Sequence, residues 1–317
     1  MARTLKPAEL PALLAPGMRV YAPGGVGESA PLIAALRAAP ERCAGVHFTG
    51  VWLPGINHCD YAALNADARA SAFFIGRELH ASFAQGRIDL LALSYFEAYH
   101  YLAGDAAIDL AFLHVTPPND DGRLGFGVAN DFTPAVAAGA RRIVALVNPL
   151  MPRTIGAGSI ALADVDFVCC APAPLLADGG GGGDAVWEAI AGHVAGLIGD
   201  GDTLEVGIGK VQGVLAALTG RRGLKVHSGA ITSTLLPLVA AGAIAGEDGA
   251  VRCGMALGTP ALYAFVANNP RVQFAPVGET HDSATLRRIE RFVAINGVIE
   301  VDLFGQANAE TADGRQV

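Results

Sequence analysis

Aromatic residues are scarce, at 7% of the 317 residues, and long apolar runs are missing. Hydrophobic residues make up 52% of the chain, yet Gly, Pro or a charge interrupts every run before the ~20 apolar residues that a membrane-spanning helix needs. Positive charge is also in short supply: 22 Lys and Arg against 30 Asp and Glu leave a formal charge of −8. Arg221-Arg222 and Arg287-Arg288 are isolated pairs and make no basic stripe, which excludes a nucleic-acid footprint. The five cysteines, Cys43, Cys59, Cys169, Cys170 and Cys253, are odd in number and show no CxxC spacing. That excludes a disulfide framework and a structural zinc site, and no metal is expected. The N-terminus has no continuous apolar stretch before a cleavage site. It reads as a leading helix of a cytoplasmic protein.

What the chain has in quantity is Ala, Gly, Val and Leu, the composition of α/β layers packed closely through small residues. Its length suffices for two domains. Two halves repeat one order of strand, glycine turn and helix. Residues 18–22 read as a strand, 23–29 as the turn and 30–39 as a helix. Residues 203–206, 207–209 and 211–218 repeat that order. Further short apolar runs at 90–93, 110–115, 143–147 and 167–170 fit parallel strands buried on both faces. Between the halves lie a Pro-rich stretch and the pentaglycine 179–183, which reads as a flexible surface loop, with a helix expected over 185–198. The expected domains are 1–184 and 185–317, each an open, mostly parallel sheet with flanking helices.

A glycine turn that leads from a strand into a helix leaves backbone N–H groups free for an anion. In open parallel sheets ligands gather at the strand C-terminal ends, where such turns lie. Gly24-Gly25-Val26-Gly27 and Gly207-Ile208-Gly209 both qualify. Neither is a GxGxxG, because Gln212 stands where the third glycine would be. An NAD-dependent oxidoreductase is therefore the weakest of three readings.

Several segments, in order, resemble the acetyl-CoA hydrolase/transferase family of CoA-transferases. They are the turn at 24–27, Ile108 to Asp120, the Val147-Asn148-Pro149 segment, Asp200 to Gly209, His227-Ser228-Gly229-Ala230, and Ala294 to Gln306. The resemblance covers nearly the whole chain. It implies two CoA-transferase-type domains with the active site between them, coenzyme A or acyl-CoA as substrate, a carboxylate acceptor, no permanently bound cofactor, and a homodimer. The family continues beyond Gln306, and the chain reads as a piece of a longer protein.

The family's motif carries a glutamate that attacks the acyl-CoA thioester, and here that position is Gly229. Glycine has no nucleophile to offer. The nearest acidic residues, Glu205 and Glu247, are read as too far in register. Removal of the glutamate leaves room for water, so direct hydrolysis is expected to draw on another base, with Glu279 ranked before His281, Asp282 and His227. The resemblance further implies that Asn296 holds the thioester oxygen and that Gly207, Gly209 and Lys210 form the turn facing the thioester. It places Gly254 and Met255 near the CoA arm and gives Gly24, Gly25 and Gly27 the role of first-domain N–H donors. Asp302 reads as structural beside Gln306. The expected activity is CoA transfer or acyl-CoA hydrolysis on short-chain thioesters. The alternative is a non-catalytic CoA-binding homologue.

Overall fold

Residues 110–115 and 143–147 are apolar at nearly every position, as a strand covered on both faces requires. In the computed structural model, which describes residues 2–177, 185–312 and 315–316, both segments are strands buried along their whole length. Along the chain the strands are β1 (Arg3–Leu5), β2 (Arg19–Tyr21), β3 (His47–Gly50), β4 (Arg69–Ala72), β5 (Ile88–Leu90), β6 (Leu110–Val115), β7 (Arg123–Gly125), β8 (Ile143–Val147), β9 (Ser159–Ala161), β10 (Phe167–Cys170), β11 (Thr203–Val206), β12 (Lys225–Thr232), β13 (Val251–Leu257), β14 (Val272–Phe274) and β15 (Phe292–Ile295). The first sheet has the order β1-β10-β8-β6-β2-β3-β4-β5 and the second β14-β13-β12-β11-β15, and both are parallel throughout. β7 and β9 form a separate antiparallel pair.

The two-residue period of a strand sends alternate side chains to opposite faces. In β6, Leu110 and Phe112 enter a core under the 3-10 helix Pro7–Leu13 and the helix Ala30–Ala38. Ala111, Leu113 and Val115 enter a second core on the other face, which continues without a break into Leu204, Val226, Met255 and Leu257 of the second sheet. The two sheets therefore share one apolar interior. Backbone bonds stitch the same seam: Ala256 N–H donates to the Val128 carbonyl at 3.1 Å, Asn130 N–H to that of Gly254 at 3.2 Å, and Phe274 N–H to that of Ile155 at 2.8 Å.

The N-terminus departs from the leading helix expected there. Arg3–Leu5 adds an edge strand beside β10, and Pro7 and Pro11, which lack N–H donors, leave only the 3-10 segment Pro7–Leu13. The run after the second glycine turn is likewise a 3-10 helix, Lys210–Leu218. The helix expected over 185–198 is Ala185–Ala195. The pentaglycine lies outside the described residues. Among the described residues no helix is long and apolar enough to cross a membrane. Beyond β15, Leu303 and Phe304 project into solvent.

Candidate active site at the domain seam

A cleft of about 450 Å³ opens between the sheets. Its second-domain floor is Glu205 to Ile208 at the end of β11, Ser228 to Ala230 of β12, Met255 of β13, His281, and Asn296-Gly297 after β15. Its first-domain wall is Leu53, Pro54, Phe74 and Tyr95.

Gly207, Gly229, Met255 and Asn296 thus meet in one place. Gly207 N–H donates to the Ile295 carbonyl at 3.0 Å, which docks the turn against β15. A Cβ on Gly207 would stand 2.9 Å from Asn296 Oδ1, so glycine is what lets the exposed amide lie across the turn. Gln212 fixes the turn from beneath: its Nε2 donates to the Gly207 carbonyl at 2.9 Å, and its Oε1 accepts from the hydroxyls of Thr232 and Thr234. Gly209, at φ +93°, and the exposed Lys210 follow this turn but do not line the cleft. Gly254 is buried beneath it, where a Cβ would sit 2.8 Å from the Gly229 carbonyl oxygen.

Two expectations need correction. The first-domain turn does not offer free N–H groups. Gly25 N–H donates to Asn57 Oδ1 at 2.8 Å, and Gly27 N–H donates to the Gly24 carbonyl at 3.0 Å. Gly24, Gly25 and Gly27 serve the packing of strand ends and do not line the cleft. Glu205, read as out of register, does reach it. The pairing of β11 with β12 sets Thr203 opposite Lys225 and Leu204 opposite Val226, so Glu205 shares the sheet face of Gly229 one strand away. Its carboxyl lies above the usual carboxylate range because burial penalises the charge.

Glu279 is not brought to the cleft. It pairs with Arg252, which lines a separate depression at the N-terminal ends of β11 to β13. His227 lines that same depression, and its Nε2 lies 3.1 Å from the Thr280 carbonyl oxygen. Asp282 caps the short helix Ser283–Leu286, accepting from the N–H groups of Ala284 and Thr285. Asp302 closes an exposed turn with Gln306.

His281 is the one candidate base that reaches the cleft. Its ring stands over Gly229: a Cβ there would be 2.7 Å from Cε1 and 3.1 Å from Nε2. The space vacated by a side chain at position 229 is therefore filled by imidazole. Three contacts hold the ring. Thr280 Oγ1 lies 2.9 Å from Nδ1, the Tyr95 ring centroid is 5.0 Å away, and Val277 N–H donates to the Asp131 carbonyl at 2.9 Å, anchoring this segment on the first domain. Desolvation, then the neighbouring His227, push its pKa down to about 4, so the ring is neutral near pH 7.

The wall residues escaped sequence reading because each is a single apolar residue on a connection. Leu53 and Pro54 follow β3, Phe74 follows β4, and Tyr95 opens the helix Tyr95–Ala103. The signal that marks that helix start is the capping box of Ser94 and Glu97, in which each side chain accepts from the other residue's N–H.

Asp131 sits behind this wall, close to Tyr95 and Tyr21, and desolvation raises its pKa to about 6. Between the ordinary carboxylate value and about 6, the native state keeps a proton that the unfolded chain has released. Its contribution to stability therefore falls as pH rises through that interval and stays low above it. Asp131→Asn is expected to raise stability at pH 7.5 by about 1–3 kcal/mol and to make little difference at pH 4. Urea midpoints of both proteins at the two pH values check this, and an equal gain at both would contradict it.

The acetyl-CoA hydrolase/transferase N-terminal domain matches residues 2–177, and the C-terminal domain of the same description matches residues 258–317. The 4-hydroxybutyrate coenzyme A transferase of Clostridium kluyveri is 30% identical over 306 residues, covering 94% of this chain and 71% of that protein. The succinyl-CoA:cyclohexane-1-carboxylate CoA transferase of Geobacter metallireducens is 26% identical over 98% of this chain and 72% of its own length. The solved 4-hydroxybutyrate CoA-transferase from Porphyromonas gingivalis superposes with a TM-score of 0.78 at 26% identity, over 96% of this chain and 75% of that one. RipA from Yersinia pestis, at 22% identity and a TM-score of 0.88 over 98% of this chain and 76% of that one, shares the fold.

Proposed function

We propose that this chain, which belongs to the acetyl-CoA hydrolase/transferase family, hydrolyses short-chain acyl-CoA thioesters instead of passing them through a glutamyl anhydride. The observation that carries the reading is the cleft itself: the position of the family's nucleophile lies in its floor as Gly229, beside Asn296 and the Gly207 turn. An exposed amide N–H next to a glycine turn can stabilise the oxyanion that forms when a thioester carbonyl is attacked. The other requirement is an attacking oxygen, and with no side chain at 229 that oxygen comes from water.

The wall favours an apolar acyl group. Leu53, Pro54, Phe74 and Met255 line it, while no Lys or Arg does among the described residues, and Glu205 would repel a second carboxylate. Butyryl-CoA is therefore expected to exceed succinyl-CoA in kcat/KM by at least about tenfold, roughly the difference that a single pocket contact can supply.

The test is a panel of acetyl-, propionyl-, butyryl-, 4-hydroxybutyryl- and succinyl-CoA with and without acetate, with free thiol and exchanged acyl-CoA both quantified. Thiol release without exchange supports hydrolysis. Acyl exchange overturns it and points to a nucleophile elsewhere in the cleft, with Glu205 the first to examine. CoA binding with no turnover favours the second reading, a non-catalytic CoA-binding homologue, for which the absence of a side chain at 229 is the specific support.

A further inference from the structure

We propose that His281 is the general base of this hydrolysis, its imidazole standing where a carboxylate at position 229 would otherwise reach the thioester. The inference rests on the hydrolase reading given above.

Four observations on the molecule carry it. The ring fills the volume over Gly229, with Nε2 3.1 Å from the point where a Cβ would be, so this nitrogen occupies the start of the path that a side chain at 229 would take into the cleft. Nδ1 is engaged at 2.9 Å by Thr280 Oγ1, while Nε2 has no hydrogen-bond partner among the described residues. With the proton on Nδ1, a lone pair on Nε2 faces the cleft. The ring is clamped between the domains, by Tyr95 on one side and by the Thr280 backbone on the other, and His227 Nε2 holds the Thr280 carbonyl from behind. The remaining titratable groups of the cleft are less suited. Glu205 lies one strand away, and Tyr95 is buried with its pKa raised.

The step balances without a further reagent. Nε2 accepts a proton from water as the water oxygen bonds to the thioester carbonyl carbon. The resulting oxyanion faces Asn296. When the carbonyl re-forms, the C–S bond breaks, and the CoA sulfur leaves with the proton returned from the imidazolium. The products are the free acid and CoA thiol.

The experiment follows thiol release from butyryl-CoA by the wild-type chain, His281→Ala and the volume-retaining His281→Gln, alongside CoA affinity by calorimetry. Both variants are expected to lose about 10²- to 10⁴-fold in kcat, the range of a general base, with CoA affinity within about threefold of wild type. Added imidazole is expected to restore part of the rate to His281→Ala and none to His281→Gln, whose side chain leaves no room for it. A merely structural histidine would give no such rescue. If wild type hydrolyses and either folded variant keeps more than a tenth of its rate, the assignment of His281 fails and the hydrolase reading stands. If wild type binds CoA without hydrolysing it, the hydrolase reading itself fails and the base falls with it. An acyl adduct on His281 or Glu205 would overturn the base role in favour of covalent catalysis.

Discussion

Gly229→Glu is expected to turn a hydrolase into an acyl-exchanging protein, with thiol release from butyryl-CoA falling at least about a hundredfold and acetate-dependent exchange appearing in its place. A carboxylate at 229 would be a nucleophile, and covalent catalysis divides thioester cleavage into two easier displacements. It cannot enter without a move by His281, since even its Cβ would lie 2.7 Å from the imidazole Cε1. The clash is with the end of a side chain and not with backbone, so the ring can swing away at modest cost. The same event removes the base and installs the nucleophile, which is why the two activities should trade. Mass spectrometry of the variant after acyl-CoA addition without acceptor should find CoA attached at residue 229. If the variant folds, binds CoA and carries no adduct, position 229 is not where the reacting carbon sits.

Gly24→Ala is expected to lower stability by about 3 kcal/mol, at the upper end of overpacking costs, and the melting temperature by roughly 5–10 °C. A Cβ on Gly24 would collide with the Val51 carbonyl oxygen and lie 2.6 Å from its carbon. Across the same strand ends a Cβ on Gly50 would collide with the Ala22 carbonyl oxygen. Neither obstacle is a side chain that can rotate away. Ala22 N–H is bound to the Thr49 carbonyl at 2.9 Å, and Trp52 Nε1 donates to that of Ala22 at 3.2 Å, so relief means prising β2 from β3. Thermal unfolding followed by circular dichroism would decide the matter, and a melting temperature within 2 °C of wild type would show that the strand ends yield more easily than their packing implies. The loss should appear with substrate affinity nearly intact, because Gly24 lies outside the cleft.

The parts of the fold legible in the sequence are those where one residue pattern permits one environment. β6, β8 and β10 stand at the expected positions because a short apolar run between turns has to be covered on both faces. Arg3–Leu5 was not legible, because three residues carry no period, and only the exposed edge of β10 makes them a strand. At the site, the floor could be read from Gly207, Gly229, Met255 and Asn296, which share motifs. Glu205 could not be excluded by distance along the chain, since adjacent strands bring residues 205 and 229 onto one face. Glu279 and His281 lie two positions apart, and the sequence gives no means of ranking them. The short helix Val277–Thr280 sends one toward Arg252 and the other into the cleft.

The unbroken interior shared by the two sheets has a consequence for how this molecule can change. The halves are not exchangeable modules, because the inner surface of each is finished only by the other: Leu113 and Val115 on one side, Met255 and Leu257 on the other. A substitution that loosens the seam must therefore shift the shape of the acyl wall as well as the resistance to unfolding. Evolution could retune which thioester fits only by repacking residues that also hold the chain together.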